Sequence, residues 1–460
     1  MNIIKNHPAN PIADQLSEWL TSLQLEQIPE SAYRITIRDI HDACGLAVSS
    51  AQQSYCAPVA ANWDANGPCT VLGLSGSFDV SGAALLNGMA IHGEDFDDTL
   101  EGAPIRVGAM TIPAAFAVAE RYSLSGQRAL LGVVAGLETV CRLNLVAPGA
   151  IHKAGFHPVG VIGAIGACAA AGVTLGLNAQ QMTNALGIAG SFSSGLLEYL
   201  TDGAWTKRLH PGWAAQSGAK AALIAKAGFF GPDTVFEGNK GFFKGFAHKA
   251  EYLHLEAILE DLGKRWHLED IAFKPYACGT MIHPYIDCAI RLSEAGISSD
   301  QIQSISCDTG EGLVDRLWEP LTAKYNPPSG YAAKFSMPYC MAVAFFDRAA
   351  GLAQFTDERV KDEAVLHLAQ KISYRIDPLN EYPKNYSGHL LVTMKDGEKH
   401  TFNQPHFRGG AKEPLTDSEI AKKFFQSCEY GGWSQEKAAA LFHFIRNIAA
   451  LDRFNLSEFR

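Results

Sequence analysis

The chain has 460 residues, 47% of them hydrophobic and 19% charged, with 38 basic against 48 acidic side chains for a formal net charge of −10. This length exceeds what one core ordinarily serves, so two domains are expected, and the apolar content excludes a disordered chain. No Lys/Arg cluster interleaved with aromatics accompanies the acidic balance, which argues against a nucleic-acid partner.

The N-terminus, MNIIKNHPANPIADQ, shows no apolar run behind a positive start, so no secretory or transit peptide is read and a cytoplasmic location is expected. Ile12, Leu16, Trp19, Leu20 and Leu23 recur on one helical face, with Asp14 and Glu18 opposite, and predict the first helix. Further helices are predicted over 82–91, 112–121, 127–143, 159–177 and 213–227, and almost nothing before residue 260 alternates as a strand. Segments rich in Ala, with Gly and Pro at the joints, fit closely packed helices. The stretch at 159–177, VGVIGAIGACAAAGVTLGL, is uncharged and approaches membrane length. Its small residues and its lack of basic and aromatic flanks on both sides favour a buried central helix, so no membrane partner is expected. Beyond residue 270 the segments 301–308, 371–377 and 389–402 are rich in β-branched and aromatic residues and are read as strands. The last folds into a hairpin at Asp396-Gly397. Helices over 337–355 and 357–370 fall between these strands, and the tail 416–451 returns to helical periodicity, placed to rejoin the first domain. The ten cysteines form no CxxC pair and are read as free thiols.

Four stretches could carry chemistry. The first, His92 to Thr99, reads HGEDFDDT and sets four acids in five positions. Such a run is a solvated helix end, a magnesium motif like that of all-α terpene cyclases, or a set of acids that orient a substrate or act as bases. The second is Gly155-Phe156-His157-Pro158, just before the small-residue helix. A helix N-terminus there favours anions and lowers the imidazole pKa, although a lone histidine is more often structural. Gly160, Gly163 and Gly166 do not have dinucleotide-binding spacing.

The third stretch carries Lys207, Arg208 and His210 at the mouth of a helix expected near Trp213. Lysine suits a carboxylate as a point charge and arginine as a fork, while the plain alternative is an exposed basic turn. The fourth, 273–284, sets Lys274 in an apolar segment where it can hold an anion. Cys278, His283 and Cys288 lack zinc spacing, no metal is assigned, and Cys278 is read as inert.

Taken in order, HGEDFDDT, GFHPVGVIGAIGACAAA, LTDGAWTKRLHPGWAAQSG, KPYACGTMIHPYID and AAKFSMPYC resemble the MmgE/PrpD family over nearly the whole chain. That family contains 2-methylcitrate dehydratases, cis-aconitate decarboxylases and an iminodisuccinate epimerase. The resemblance implies a mainly α fold: a large all-α helical domain from 1–268 and 405–460, with a smaller α+β lid domain, 269–404, inserted. It also implies a homodimer and a site needing no metal, iron-sulfur cluster or other cofactor. Asp95, Thr99, His157, Lys207 and Lys274 occupy matching site positions. Two departures stand out, because Arg106 and Gly279 take places where decarboxylase-like members carry histidines. They put decarboxylation in doubt and leave dehydration or epimerisation more open.

The chemistry common to these reactions forms a carbanion or enediolate beside a carboxylate, which fixed cations stabilise while a base moves the proton. Asp95, His157 and Lys207 are therefore expected to be catalytic. Thr99, Arg106, Arg208, His210 and Lys274 are expected to bind substrate, with the Arg106 fork on a carboxylate. The expected function is a 2-methylcitrate dehydratase-like lyase acting on a small di- or tricarboxylic acid. Its alternatives are a dicarboxylate epimerase, a cis-aconitate decarboxylase, and an inactive carboxylate-binding scaffold.

Overall fold

The structure, a computed structural model, describes residues 10–103 and 105–460. The chain divides into two units, one from the stretch ending at Gly93 with Asp97–Ile271 and Ile420–Arg460, the other from Glu94–Phe96 with Ala272–Glu419. The first unit holds α1 (Ile12–Ser22), α2 (Glu30–Ser50), α3 (Val80–His92), α4 (Gly108–Arg121), α5 (Gly126–Leu145), α6 (Pro158–Leu175), α7 (Ala179–Phe192) and α8 (Thr206–Lys226). The helix Gln435–Arg446, from the C-terminal end of the chain, belongs to it as well. The expected mainly α architecture with an inserted α+β part is what forms.

Small side chains decide the centre of the first unit. Every residue of α6 from Val159 onward is buried, and α4, α5 and α8 pack around it. The apolar run that matches a membrane span in length is 94% buried against protein, as the core-helix reading requires. Pro158 opens α6 at a position where its missing N–H costs nothing and its fixed φ fits a first turn. The helix ends at Gly176, whose φ of 68° is the left-handed cap that glycine adopts most readily.

One expected boundary moves. Helix α8 starts at Thr206 and not near Trp213, so Lys207, Arg208 and His210 lie on its first turns instead of in a loop before it. Pro211-Gly212 reads as a helix start, yet Pro211 sits inside the helix, where its lack of an N–H leaves the Lys207 carbonyl without the usual i+4 donor.

Among the described residues four aspartates are buried in the same unit: Asp39 and Asp42 on α2, with Asp97 and Asp98. Lys423 meets Asp42 at 2.7 Å, and the Asp98 carboxyl accepts from the backbone of Val107 (2.8 Å) and Gly108 (3.1 Å) at the start of α4. Burial, reinforced by Asp97, pushes Asp98 up to about 7, and burial with Asp98, Asp42 and Asp97 raises Asp39 well above the carboxylate range. Such a group binds more protons folded than unfolded, so it lowers stability as pH rises from the unfolded value, near 4, through the folded one. Asp39→Asn, which keeps the shape and cannot ionise, is expected to flatten the decline. Urea unfolding at pH 5 and pH 8 measures this, and equal losses in variant and parent would refute the assignment.

In the second unit, strands β1 (Ile302–Thr309), β2 (Ile372–Ile376), β3 (Gly388–Met394) and β4 (Lys399–Gln404) form one sheet in the order β2-β1-β3-β4. β1 and β2 are parallel with Ile305 beside Ile372, while β1/β3 and β3/β4 are antiparallel, with Cys307 facing Leu390 and His389 facing Asn403. Leu390, Val392 and Met394 alternate inward along β3. The predicted hairpin turns at Asp396-Gly397, where Gly397 has a φ of 93°. The helix expected over 337–355 stops at Asp347, because Arg348 takes a left-handed φ of 51°, and the chain resumes as a short 3₁₀ turn, Leu352–Phe355. Residues 405–419, expected with the helical domain, belong here instead. Phe273 N–H donates to the Gly409 carbonyl at 3.1 Å, and the Arg408 guanidinium reaches Asp287 at 3.1 Å.

Candidate active site

Three histidines converge in the first unit. His157 caps α6, His210 lies on the second turn of α8, and His92 closes α3. Two glycines permit this. A Cβ on Gly160 would come within 2.3 Å of the Ser194 carbonyl and 3.4 Å of the His210 Cβ, and one on Gly212 would come within 2.2 Å of the Leu85 carbonyl on α3. Nδ1 of His157 lies 3.0 Å from Nδ1 of His210, the ring of Tyr199 packs on both, and the His92 ring centroid is 5.9 Å from that of His157.

All three imidazoles are buried. Burial pushes His157 well below its ordinary value, and the neighbouring His92, His210, Lys207 and Arg106 act in the same direction. His210 falls to about 4, again from burial first and His92 second. Both are therefore neutral near pH 7, and their shared hydrogen bond needs one ring to donate and the other to accept. Neutral imidazoles held beside Lys207 and Arg106 make an environment that favours an anion, and an anion bound there would make His157 easier to protonate.

The predicted cations divide by role. The Nε of Arg106 is 3.3 Å from Oδ1 of Asp97, whose Oδ2 is 2.8 Å from Nδ1 of His92. Arg208 donates from Nε to the Gly93 carbonyl at 2.9 Å and lies 4.4 Å over the Tyr55 ring, so it ties α8 to the end of α3. Lys207 is half-buried, and Thr99 is buried on the two-residue strand Thr99–Leu100.

Asp95 and Lys274 belong to the second unit, whereas His157 belongs to the first. The Lys274 ammonium is fully buried, donates to the Asp95 carbonyl, and stands 3.6 Å from its carboxylate. Beside it the equally buried Lys334 meets the Glu94 carboxylate at 2.9 Å and the Glu94 carbonyl at 2.7 Å. Between these two grips Asp95 adopts a left-handed φ of 53°, uncommon for a residue with a Cβ. At Gly279 a Cβ would meet nothing nearer than 3.7 Å, so the backbone there tolerates a side chain.

The MmgE/PrpD N-terminal domain matches residues 14–254 and the MmgE/PrpD C-terminal domain residues 276–443. The chain belongs to the MmgE/PrpD family. It is 27% identical over 452 residues to a cis-aconitate decarboxylase-like protein of Aspergillus oryzae, covering 92% of each chain. To the cis-aconitate decarboxylase of Aspergillus terreus it is 26% identical, covering 90% of this chain and 88% of the other. To that of Homo sapiens it is 29% identical over 74% of this chain and 71% of the other.

Within this MmgE/PrpD chain, sequence reasoning singled out neither His92 nor Lys334. His92 was legible only as a histidine five residues before Asp97, and Lys334 only as a charge in the apolar segment AAKFSMPYC. Among the described residues no group of three or more His, Cys, Asp or Glu side chains could hold a metal ion. All ten cysteines are free and buried. Lys207→Ala is expected to cost roughly 2.7 to 4 kcal/mol of barrier, the scale of losing a charge that meets a developing anion. Cys278→Ala should cost little by comparison. Steady-state kinetics of the two variants compares them, and equal losses would favour a thiol mechanism.

Proposed function

We propose that this MmgE/PrpD protein is a lyase that decarboxylates a small unsaturated tricarboxylic acid of the cis-aconitate type. The observation that carries this reading is the buried, neutral pair His157 and His210 beside Lys207 and Arg106, a place for a polyanion next to groups able to move a proton. The names of the relatives agree with it. In such a reaction the bond to one carboxylate breaks, CO₂ leaves, and the electron pair passes through the adjacent double bond to its far carbon. That carbon then takes a proton. Fixed cations hold the negative charge meanwhile, and a positioned imidazole delivers the proton.

Dehydration of a 2-methylcitrate-like acid is the second reading. Arg106, engaged with Asp97, brings a permanent charge and no proton-carrying ring, and residue 279 is a glycine. NMR of the purified protein with cis-aconitate and with 2-methylcitrate separates the two. CO₂ from the first supports decarboxylation, water loss from the second supports dehydration, and neither product defeats both.

A further inference from the structure

We infer that His92 is a second proton carrier of this site, working beside His157, and that Asp97 fixes the tautomer in which it works, an assignment that rests on the lyase reading above. His92 is 2% exposed, and one of its nitrogens, Nδ1, is 2.8 Å from Asp97 Oδ2. The other oxygen of Asp97 faces the Arg106 guanidinium at 3.3 Å. An ionised carboxylate only accepts hydrogen bonds, so Nδ1 carries the hydrogen, and in the neutral ring Nε2 is the nitrogen with the lone pair. Among the described residues that Nε2 is buried without a hydrogen-bond partner. Leaving such an atom unsatisfied is costly, so a buried polar atom without a partner calls for a task beyond packing.

The placement suits the task. His157 and His210 occupy each other through their Nδ1 atoms, and the His92 ring stands 5.9 Å from that of His157, on the same cluster flanked by Lys207 and Arg106. A carboxylate behind one nitrogen of an imidazole, leaving the other for the reacting group, is the arrangement that orients a general base and stabilises the imidazolium when it forms. In decarboxylation, Nε2 takes a proton from water, whose hydroxide the released CO₂ takes up as bicarbonate, and passes it to the carbon that has received the electron pair, so a C–H bond forms and the N–H pair returns to nitrogen as a lone pair. In dehydration the same atom removes the proton from carbon, the C–H pair forms the double bond, and the hydroxyl leaves with the C–O pair and is protonated to water. Arg106 then acts on Asp97, holding its carboxylate charged and aimed, and is a positioning residue.

His92→Asn separates this role from a structural one, because its amide nitrogen can still donate to Asp97 while the far ring nitrogen is gone. On cis-aconitate, kcat is expected to fall about 10²–10⁴-fold with KM changed only a few-fold, and free imidazole should restore part of the rate to His92→Gly. A His92→Asn variant that folds and keeps more than a tenth of the parental kcat would overturn the assignment. ¹⁵N NMR of the labelled parent protein at neutral pH gives a reading that needs no variant, the His92 ring being assigned by through-bond correlation to its own backbone. The Nδ1–H tautomer is expected, and a proton on Nε2 with Nδ1 bare would overturn the proposal even if the variants fail to fold. A parent protein that turns over neither acid would defeat the lyase reading, and the tautomer of its resting state would still decide the Asp97–His92 arrangement.

Discussion

His157→Gln is expected to lower kcat by about 10²–10⁴-fold while KM rises much less, the pattern of losing a group that moves a proton and not one that merely binds. The imidazole is held in place by α6 on one side and by His210 at 3.0 Å on the other, so the free enzyme has little freedom to improvise a substitute. Its environment also sets a pH signature. Burial and the surrounding positive charge keep His157 neutral well below its ordinary value, and His210 titrates at about 4. The kcat/KM profile, which reports the free enzyme, should therefore show no inflection from either ring near pH 6.5, and their protonation should be felt only toward acid. Initial rates of parent and variant on cis-aconitate between pH 4 and pH 9 test both points. A loss under tenfold, or a loss confined to KM, would remove His157 from the proton-transfer role.

How much of this was legible in the sequence depended on whether the signal was local. The small residues of α6 announce close packing whatever surrounds them, and Asp396-Gly397 dictates its turn from two residues. The helix formed as read, and the hairpin turns where it was read but closes over three residues, Lys395 to Gly397, with the Met394 N–H donating to the Glu398 carbonyl at 2.8 Å. The start of α8 was misplaced because Pro211 acts locally as a breaker, while in the fold the helix continues through it as Gly212 lies against α3. Charged residues were harder still. Sequence shows that Arg106 and Arg208 are cations, but not that one faces Asp97 and the other the Gly93 carbonyl, since those partners are fixed by tertiary packing. His92 and Lys334 escaped for the same reason. Nothing in a neighbouring residue marks a histidine whose second nitrogen is left unbonded, or a lysine whose counter-charge lies 240 residues away along the chain.

Lys334 gives the second large effect. Its side chain is 1% exposed, and its ammonium lies among the Glu94 carboxylate at 2.9 Å, the Glu94 carbonyl at 2.7 Å and the face of Phe355, whose centroid is 5.4 Å away. Bringing a cation into such a place is costly, and the two oxygens of Glu94 offset that cost. Removing one partner of a buried pair leaves the other uncompensated, at about 3–5 kcal/mol. Glu94 is 16% exposed, so water can reach its carboxylate and the lower end of that range is expected for Lys334→Met, which keeps the volume and deletes the charge. Glu94→Gln should also destabilise, because it leaves the ammonium with neutral oxygens alone. The two changes share one contact, so the double variant should lose less than the sum of the single losses. There is a functional consequence as well. Lys334 and Lys274 grip adjacent carbonyls on either side of the left-handed turn at Asp95, a conformation that persists only where its surroundings enforce it. Lys334→Met should accordingly lower kcat even at temperatures where the variant remains folded, and Lys334→Arg should recover part of both stability and rate. Urea unfolding followed alongside activity decides the matter: a stability loss below about 1 kcal/mol for Lys334→Met, the scale of an exposed pair, would show that this lysine is not what holds Glu94 and Asp95 in place.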